Sequence, residues 1–317
     1  MDQLRAMRVF VAVVDAGSFV GAAQTLTMSA AAVTRLLAEL EDRLGARLLQ
    51  RTTRRLALTE IGAAYLDRAR RILIDIEEAS ALASESARLP RGTLRVLAPP
   101  AFAVHQIAKR LPAFHERYPD LRIELTATGP VESVDENFDV TIMATRRALD
   151  GDYVARLLAH SEVILCASPE YLDRRGRPSH PRDFGQHEGL VPPVAELQRG
   201  LRFQRVGAQG LEVESFDAPA ARSVLSTSLI DMNYACALAG LGVAGLPSFV
   251  AEDALLEGAL ERALPAWRMF SVPIYAAMPS RRHIPARTRV LVDFLIEAFG
   301  GAESDPWLSA AGCPTAG

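Results

Sequence analysis

Apolar residues recur at helical spacing through the first sixty residues. Leu4, Met7, Val11 and Val14 predict one helix, closed by Asp15-Ala16-Gly17. Ser18 is placed to cap the next helix, whose inner stripe is Phe19, Ala22, Ala23 and Leu26. After the break Thr27-Met28-Ser29, Ser29 can cap a third helix, with Val33, Leu37, Leu40 and Leu44 facing the core and a stop at Gly45. Two short helices, a tight turn and a third amphipathic helix make a helix-turn-helix pattern. Residues 46–59 carry Leu48, Leu49, Leu56 and Leu58 around a basic, threonine-rich centre and predict a small β-hairpin, or wing. Thr59 can cap a long helix over 60–88, on which Ile61, Tyr65, Ile72, Ile76, Ala79 and Ala83 fall on one side at roughly heptad spacing. Such length and spacing predict a dimerisation helix. Pro90-Arg91-Gly92 then reads as a hinge.

Beyond Thr93 the period changes. Strands are predicted over 94–98, 121–128, 140–144, 163–167 and 272–278, and helices over 104–118, 232–239 and 287–299. Ser168-Pro169-Glu170 is a helix start. Alternating strands and helices imply an α/β sheet with mostly parallel strands. The residues after Gly300 read as a frayed, flexible tail over 301–317.

Composition narrows the class. The chain has 317 residues, 49% of them hydrophobic, which excludes a disordered, collagen-like or disulfide-scaffold chain. No run approaches the roughly 18 apolar residues of a membrane helix, and Val9–Val14, broken by Asp15, does not make a secretion signal. Three widely spaced cysteines, Cys166, Cys236 and Cys313, predict no disulfide framework and a reducing, cytoplasmic setting. Net charge is −3, but residues 1–60 hold eight Arg against six acids, and Arg43–Arg55 carries five Arg without an acid. Lys109 is the only lysine. Because the arginine excess covers the whole chain, it reads as a chain-wide bias and not as a local signal.

The stretch from Phe10 to Gly62 resembles the N-terminal signature of the LysR-type transcriptional regulators. The residues that carry the resemblance are Ala16–Phe19 ("AGSF"), Ala22-Ala23, Ser29 with Ala32–Arg35 ("AVTR"), Leu40–Arg51 ("LE..LG..LL.R") and Leu58–Gly62 ("LTEIG"). It continues more weakly through Ser168–Leu172, Ala237–Pro247 and Tyr275–Leu295. The resemblance implies an N-terminal winged helix-turn-helix over 1–59 and a dimerising linker helix over 60–89. It further implies a two-lobed α/β domain like a periplasmic binding protein over 90–300, with lobe one at 90–163 and 272–300 and lobe two at 164–271. It also implies promoter DNA, a small effector and a homodimer or homotetramer as partners, with RNA polymerase a further candidate. Three features depart from the family. Ala30 and Ala31 stand where a polar residue or Pro is common, and Leu49 where Phe is. The first strand of the second domain runs into Pro99-Pro100 instead of a Ser or Thr, which puts a polar anion pocket in doubt.

On a wheel of 100° per residue, Ala31, Arg35 and Ala38 lie opposite the core stripe of the third helix, with Thr34 beside them. Small side chains around one guanidinium suit close approach to a major-groove floor, where Arg can offer two hydrogens to guanine and an Ala methyl can touch thymine. Ser29 and Ala30 would present the helix N-terminus to phosphate. Arg51, Thr52, Arg54 and Arg55 would meet the backbone or a narrow minor groove. In the second domain, ligands of open α/β sheets sit at the carboxyl ends of strands. That nominates Pro100, Ala101, Phe102 and Thr128 in one lobe and Ser228 and Met232 in the other as an effector site. Ile61, Tyr65, Ile72 and Ile76 are the dimerisation candidates.

Other motifs are set aside. Gly240–Gly245 spells G-x-G-x-x-G, but a helix precedes it and Pro247 follows, so it reads as a helix end feeding a strand. His115-Glu116 lacks a second histidine, no G-x-S-x-G elbow exists, and six scattered histidines propose no metal site. Cys166 and Cys236 read as buried and inert. No metal, cofactor or catalytic activity is expected. The rival readings are an enzyme or solute binder with an accessory helical head, and a regulator whose pocket holds no ligand.

Overall fold

The structure is a computed structural model that describes residues 2–51, 56–83, 90–129, 131–148, 150–194, 197, 200–206, 212–219, 221–279 and 284–313. The chain divides into two compact units, Met1–Arg88 and Leu89–Gly317.

In the first unit, helices α1 (Gln3–Asp15), α2 (Phe19–Thr25) and α3 (Ala30–Leu44) precede the hairpin β1 (Leu49–Arg51) and β2 (Leu56–Leu58). The capping expectations hold. Ser18 Oγ accepts the Gly21 N–H, Ser29 Oγ accepts the Ala32 N–H, and Gly45 ends α3 at φ 63°. Val9, Phe10, Val13, Ala22, Val33, Leu37, Leu40 and Leu48 form one core. Two stripe positions differ from expectation. Leu4 and Leu44 each lie at the outer end of a helix, past the reach of the core, and are exposed. Helix α4 (Glu60–Ala83) follows the wing. Leu66 joins the head core, while Met7, Ala69 and Leu73 form a second cluster where α4 lies along α1. Arg70 also pairs with Asp15 of α1.

The second unit is built on β3 (Gly92–Ala98), β4 (Leu121–Ala127), β5 (Val140–Ala144), β6 (Tyr153–Ala167), β7 (Glu188–Leu190), β8 (Leu201–Val206), β9 (Glu212–Ala218), β10 (Arg222–Leu225), β11 (Val243–Pro247), β12 (Glu261–Arg262) and β13 (Phe270–Pro279). Its helices are α5 (Pro100–Phe102), continued through a π-helical turn Ala103–Ile107 into α6 (Ala108–Arg117), then α7 (Pro169–Arg175), α8 (Ile230–Leu238), α9 (Ser248–Leu256), α10 (Ala286–Phe299) and α11 (Pro306–Ala310). A sheet of nine strands runs β10-β7-β11-β6-β13-β5-β3-β4, with β12 also on β6.

The sheet is mixed, which corrects the expectation of mostly parallel strands. Within each lobe the pairs β3–β4, β3–β5, β7–β10 and β7–β11 are parallel. The two crossover strands β6 and β13 are antiparallel to each other, because one carries the chain out of lobe one and the other returns it. Strand β6 is also three times longer than its predicted apolar core, since its polar first half is held by pairing to β13 from Tyr153 onward.

The core of lobe one gathers Leu94, Val96, Phe102, Phe114, Val140, Ile142, Ile274, Leu295 and Phe299. Lobe two has cores around Tyr171, Phe184, Phe203 and Trp267, and around Ile164, Cys166, Leu190, Leu246 and Ala251. The expected frayed tail is overturned over residues 301–313. Asp305 caps α11, and Trp307 and Leu308 are fully buried, so this segment is packed structure. The G-x-G-x-x-G run behaves as the sequence predicts: Gly240 turns at φ 72° after α8, and a β-carbon on Gly242 would lie 2.5 Å from the Glu188 carbonyl oxygen.

Candidate functional site: the helical head and the strand ends of the second unit

The head presents the N-terminal half of α3. Ser29, Ala30 and Ala31 are exposed and Thr34 is half-buried. Arg35 is the charged group among them, with 74% of its side chain exposed and only a loose i, i+4 pairing to Glu39 at 3.7 Å. An exposed pair of this kind is worth about 0.3–0.5 kcal/mol, so Arg35 can exchange Glu39 for another acceptor at small cost. The Ser29 hydroxyl caps the helix, leaving the following N–H groups and the positive end of the helix at the surface.

Sequence reasoning missed what aims the wing. Glu41 is buried, and its Oε1 accepts the N–H groups of Leu48 (2.8 Å) and Leu49 (3.1 Å) while Oε2 takes Arg47 Nη1 at 2.8 Å. Burial is the largest single influence and pushes the carboxyl upward. The two backbone donors and Arg47 together outweigh it and hold the group below the usual carboxylate value. The signal was present: Glu41 continues the inward series Val33, Leu37, and an acid on a buried stripe needs partners.

Thr59 makes the other joint. Its hydroxyl donates to the Arg47 carbonyl at 2.7 Å and accepts the Gly62 N–H at 2.8 Å, so it caps α4 while holding the wing. Of the wing candidates, Arg51 closes β1 opposite Leu56. Thr52, Arg54 and Arg55 lie outside the described residues.

On α4 the dimerisation candidates separate. Ile61 is 58% exposed and Ile72 is exposed, whereas Ile76 is half-buried. Tyr65 packs against Phe10 of its own head, with ring centroids 5.7 Å apart.

The effector candidates fall at the strand ends as expected, with one correction. Thr128 sits beside the end of β3, its N–H bonded to the Ala98 carbonyl at 3.2 Å, and Pro100 is half-buried next to it. In lobe two Ser228 is exposed and Met232 is 45% exposed at the start of α8. Phe102 does not face an opening. Its ring is fully buried among Phe249, Phe299 and Trp307, because the helix turns it inward onto the lobe-one core. Ala101 is buried as well.

His105, one turn along from Ala101, meets Asp231 of α8 with Nε2 2.9 Å from the carboxylate and stacks edge-on to Tyr234. Gln106 is fully buried and donates to the Phe249 carbonyl at 2.7 Å. Lys109 reaches Glu252 and Asp253. These contacts bring the helix after β3 of lobe one against α8 and α9, which follow strands of lobe two. Sequence reasoning had no signal for them, since the partners lie over a hundred residues apart.

Residues 4–63 match the family described as bacterial regulatory helix-turn-helix protein, lysR family, and residues 87–300 match the LysR substrate binding domain. The chain is 34% identical over 309 residues to an HTH-type transcriptional repressor of Pseudomonas aeruginosa, covering 94% of this chain and 93% of that protein. It is 33% identical over 298 residues to the HTH-type transcriptional regulator CrgA of Neisseria meningitidis, covering 93% of this chain and 96% of that one. Among solved structures it is similar to that of CrgA, a LysR-type transcriptional regulator, with a TM-score of 0.57 at 30% identity over 93% of this chain and 98% of that one. It is likewise similar to the full-length Vibrio cholerae virulence activator AphB, with a TM-score of 0.56 at 26% identity over 93% and 99%. With both domain signatures matched in order and the helix-turn-helix cradled as described, the chain belongs to the LysR family of DNA-binding transcriptional regulators and joins a helix-turn-helix head to an effector-binding domain.

Proposed function

We propose that two copies of this chain, clasped through the exposed side of α4, set two recognition helices into successive major grooves of promoter DNA. Arg35 reads a guanine while Ala31 and Ala38 let the helix lie close, and Ser29, Ala30 and Thr34 meet phosphate and base edges. Arg51, Thr52, Arg54 and Arg55 of the wing meet the DNA backbone or minor groove. The observation that carries this reading is the exposed Arg35 flanked by alanines on the outward side of a helix whose other side is the head core.

The second unit takes a small, partly apolar organic effector at the strand ends, with Pro100 and Thr128 on one lobe and Ser228 and Met232 on the other. Effector binding favours one arrangement of subunits over another. A homotetramer, contact with RNA polymerase, a cytoplasmic location and the absence of catalysis belong to the same reading. The test is titration of labelled duplexes from the neighbouring promoter, against scrambled duplexes, with and without a metabolite panel that also raises the melting temperature. Equal weak binding to all duplexes would overturn the DNA reading. Melting shifts only from highly polar sugars would overturn the effector reading.

A further inference from the structure

After Gly300 the chain could leave the domain, yet it turns back along the crossover strand β6. The Gly301 N–H donates to the Leu158 carbonyl at 2.9 Å, and the His160 N–H donates to the Ser304 carbonyl at 3.1 Å. One turn of helix later the segment is shared between the lobes. Trp307 enters the core of lobe one, against Phe102 and Phe299 and against Phe249, which α9 of lobe two inserts there, and its indole N–H donates to Gln106 Oε1 at 2.7 Å. Its neighbour Leu308 enters the lobe-two core with Ile164, Cys166 and Leu246, where Cys313 also packs.

Asp305 caps the helix that carries these two anchors and is buried. Its Oδ2 accepts the Glu162 N–H at 2.7 Å and the Ser248 hydroxyl at 2.6 Å, and Ser248 in turn receives the Ser161 hydroxyl at 2.8 Å. Its Oδ1 accepts the N–H groups of Trp307 and Leu308. Glu162 is where β6 changes lobes: residues up to Val163 pair with β13, and Val163–Cys166 pair with β11. Ser248 opens α9 immediately after β11 ends at Pro247. A buried carboxylate therefore binds the β6 backbone at Glu162 and the side chain of Ser248 at the lobe junction, while the side chains two and three residues after it plug both cores. The family match ends at residue 300, so this segment lies beyond the shared domain.

We propose that residues 302–313 are a strap that holds the two lobes at a fixed angle, with Asp305 as its clasp at the hinge. A buried carboxylate with four donors is strongly directional and costly to leave unpaired. Any effector-driven rotation of the lobes must keep or break this clasp. The strap thereby sets the arrangement from which the effector response starts.

Hydrogen exchange of the full chain with Asp305→Ala tests this. Amide exchange at Ser161–Val163 and at Phe270–Val272, the two crossover points, should rise roughly tenfold or more, with Val96 in lobe one and Val243 in lobe two unchanged. Ser248→Ala removes one donor and leaves the carboxylate, and should give the same pattern with a smaller rise. A uniform rise through both lobes in both variants would make the segment a general stabiliser and overturn the strap. Unchanged exchange at Glu162 and at Phe270–Val272 would overturn it as well.

Discussion

A β-carbon on Gly62 would stand 2.0 Å from the carbonyl oxygen of Leu48. The first turn of α4 and the base of the wing are therefore in contact through bare backbone, and Thr59 bonds across the same junction. The obstacle is backbone and not a movable side-chain end, so Gly62→Ala must push the wing and the helix apart. The expected cost is about 1–3 kcal/mol of head stability together with weaker DNA binding. Thermal melting and fluorescence anisotropy check this, and a variant that melts and binds like the parent would refute the joint.

Glu41 makes the head sensitive to acid. Its folded pKa lies below its ordinary value of 4.5, so the stability it contributes is present above that value and is lost as pH falls through the lower, folded one. Melting temperature of the parent should hold steady near neutrality and drop below about pH 4.5. Glu41→Gln should lower stability by about 1–3 kcal/mol at pH 7 and flatten the acid limb. An acid limb of unchanged slope in the variant would show that another group carries it.

On the proposed function, Arg35 and the wing act by different physics. Arg35→Ala should cost about 1–3 kcal/mol on the cognate duplex and little on a scrambled one, since a base contact specifies. Arg54→Ala should weaken both duplexes alike and lower the slope of log affinity against log salt by about 1, because a phosphate contact releases counterions. Salt titrations of the two variants separate these outcomes. Loss of salt slope without loss of specificity in Arg35→Ala would move that residue to the backbone.

The outward side of α4 carries Ile61 and Ile72, while Leu66, Ala69 and Leu73 are spent inside the chain's own head. Ile72→Asp should therefore yield monomers in sedimentation experiments with the head still folded. Tyr65→Ala, which removes a half-buried ring packed on Phe10, should instead lower head stability by about 1–3 kcal/mol. An intact dimer in Ile72→Asp would place the interface elsewhere.

Cys166 is fully buried, and burial pushes its thiol up to about 12. It should resist alkylation in the native protein at pH 8, while Cys236 and Cys313, both partly exposed, react first. The sign of the linkage is opposite to that of Glu41. The contribution is whole below the unfolded thiol value and fades as pH rises through the folded one. Mass mapping of the modified cysteines decides this, and early labelling of Cys166 would contradict its burial.

Much of this is legible in the sequence alone. The caps at Ser18, Ser29 and Thr59, the stop at Gly45, the strand over Val140–Ala144 and the signature through Gly62 rest on residues a few positions apart. Helical and strand periods, and the hydrogen bonds that end helices, are short-range physics, so the linear sequence determined the elements of the head, their order and the family. Contacts between distant segments were decided only in the folded chain. They include the wing held by Glu41, the inward turn of Phe102, the full length of β6, the His105–Asp231 pair and the burial of Trp307 in what reads as a loose tail. Such contacts depend on which surfaces the topology brings together, and hydrophobic burial and hydrogen bonding across a hundred residues leave no mark on local spacing.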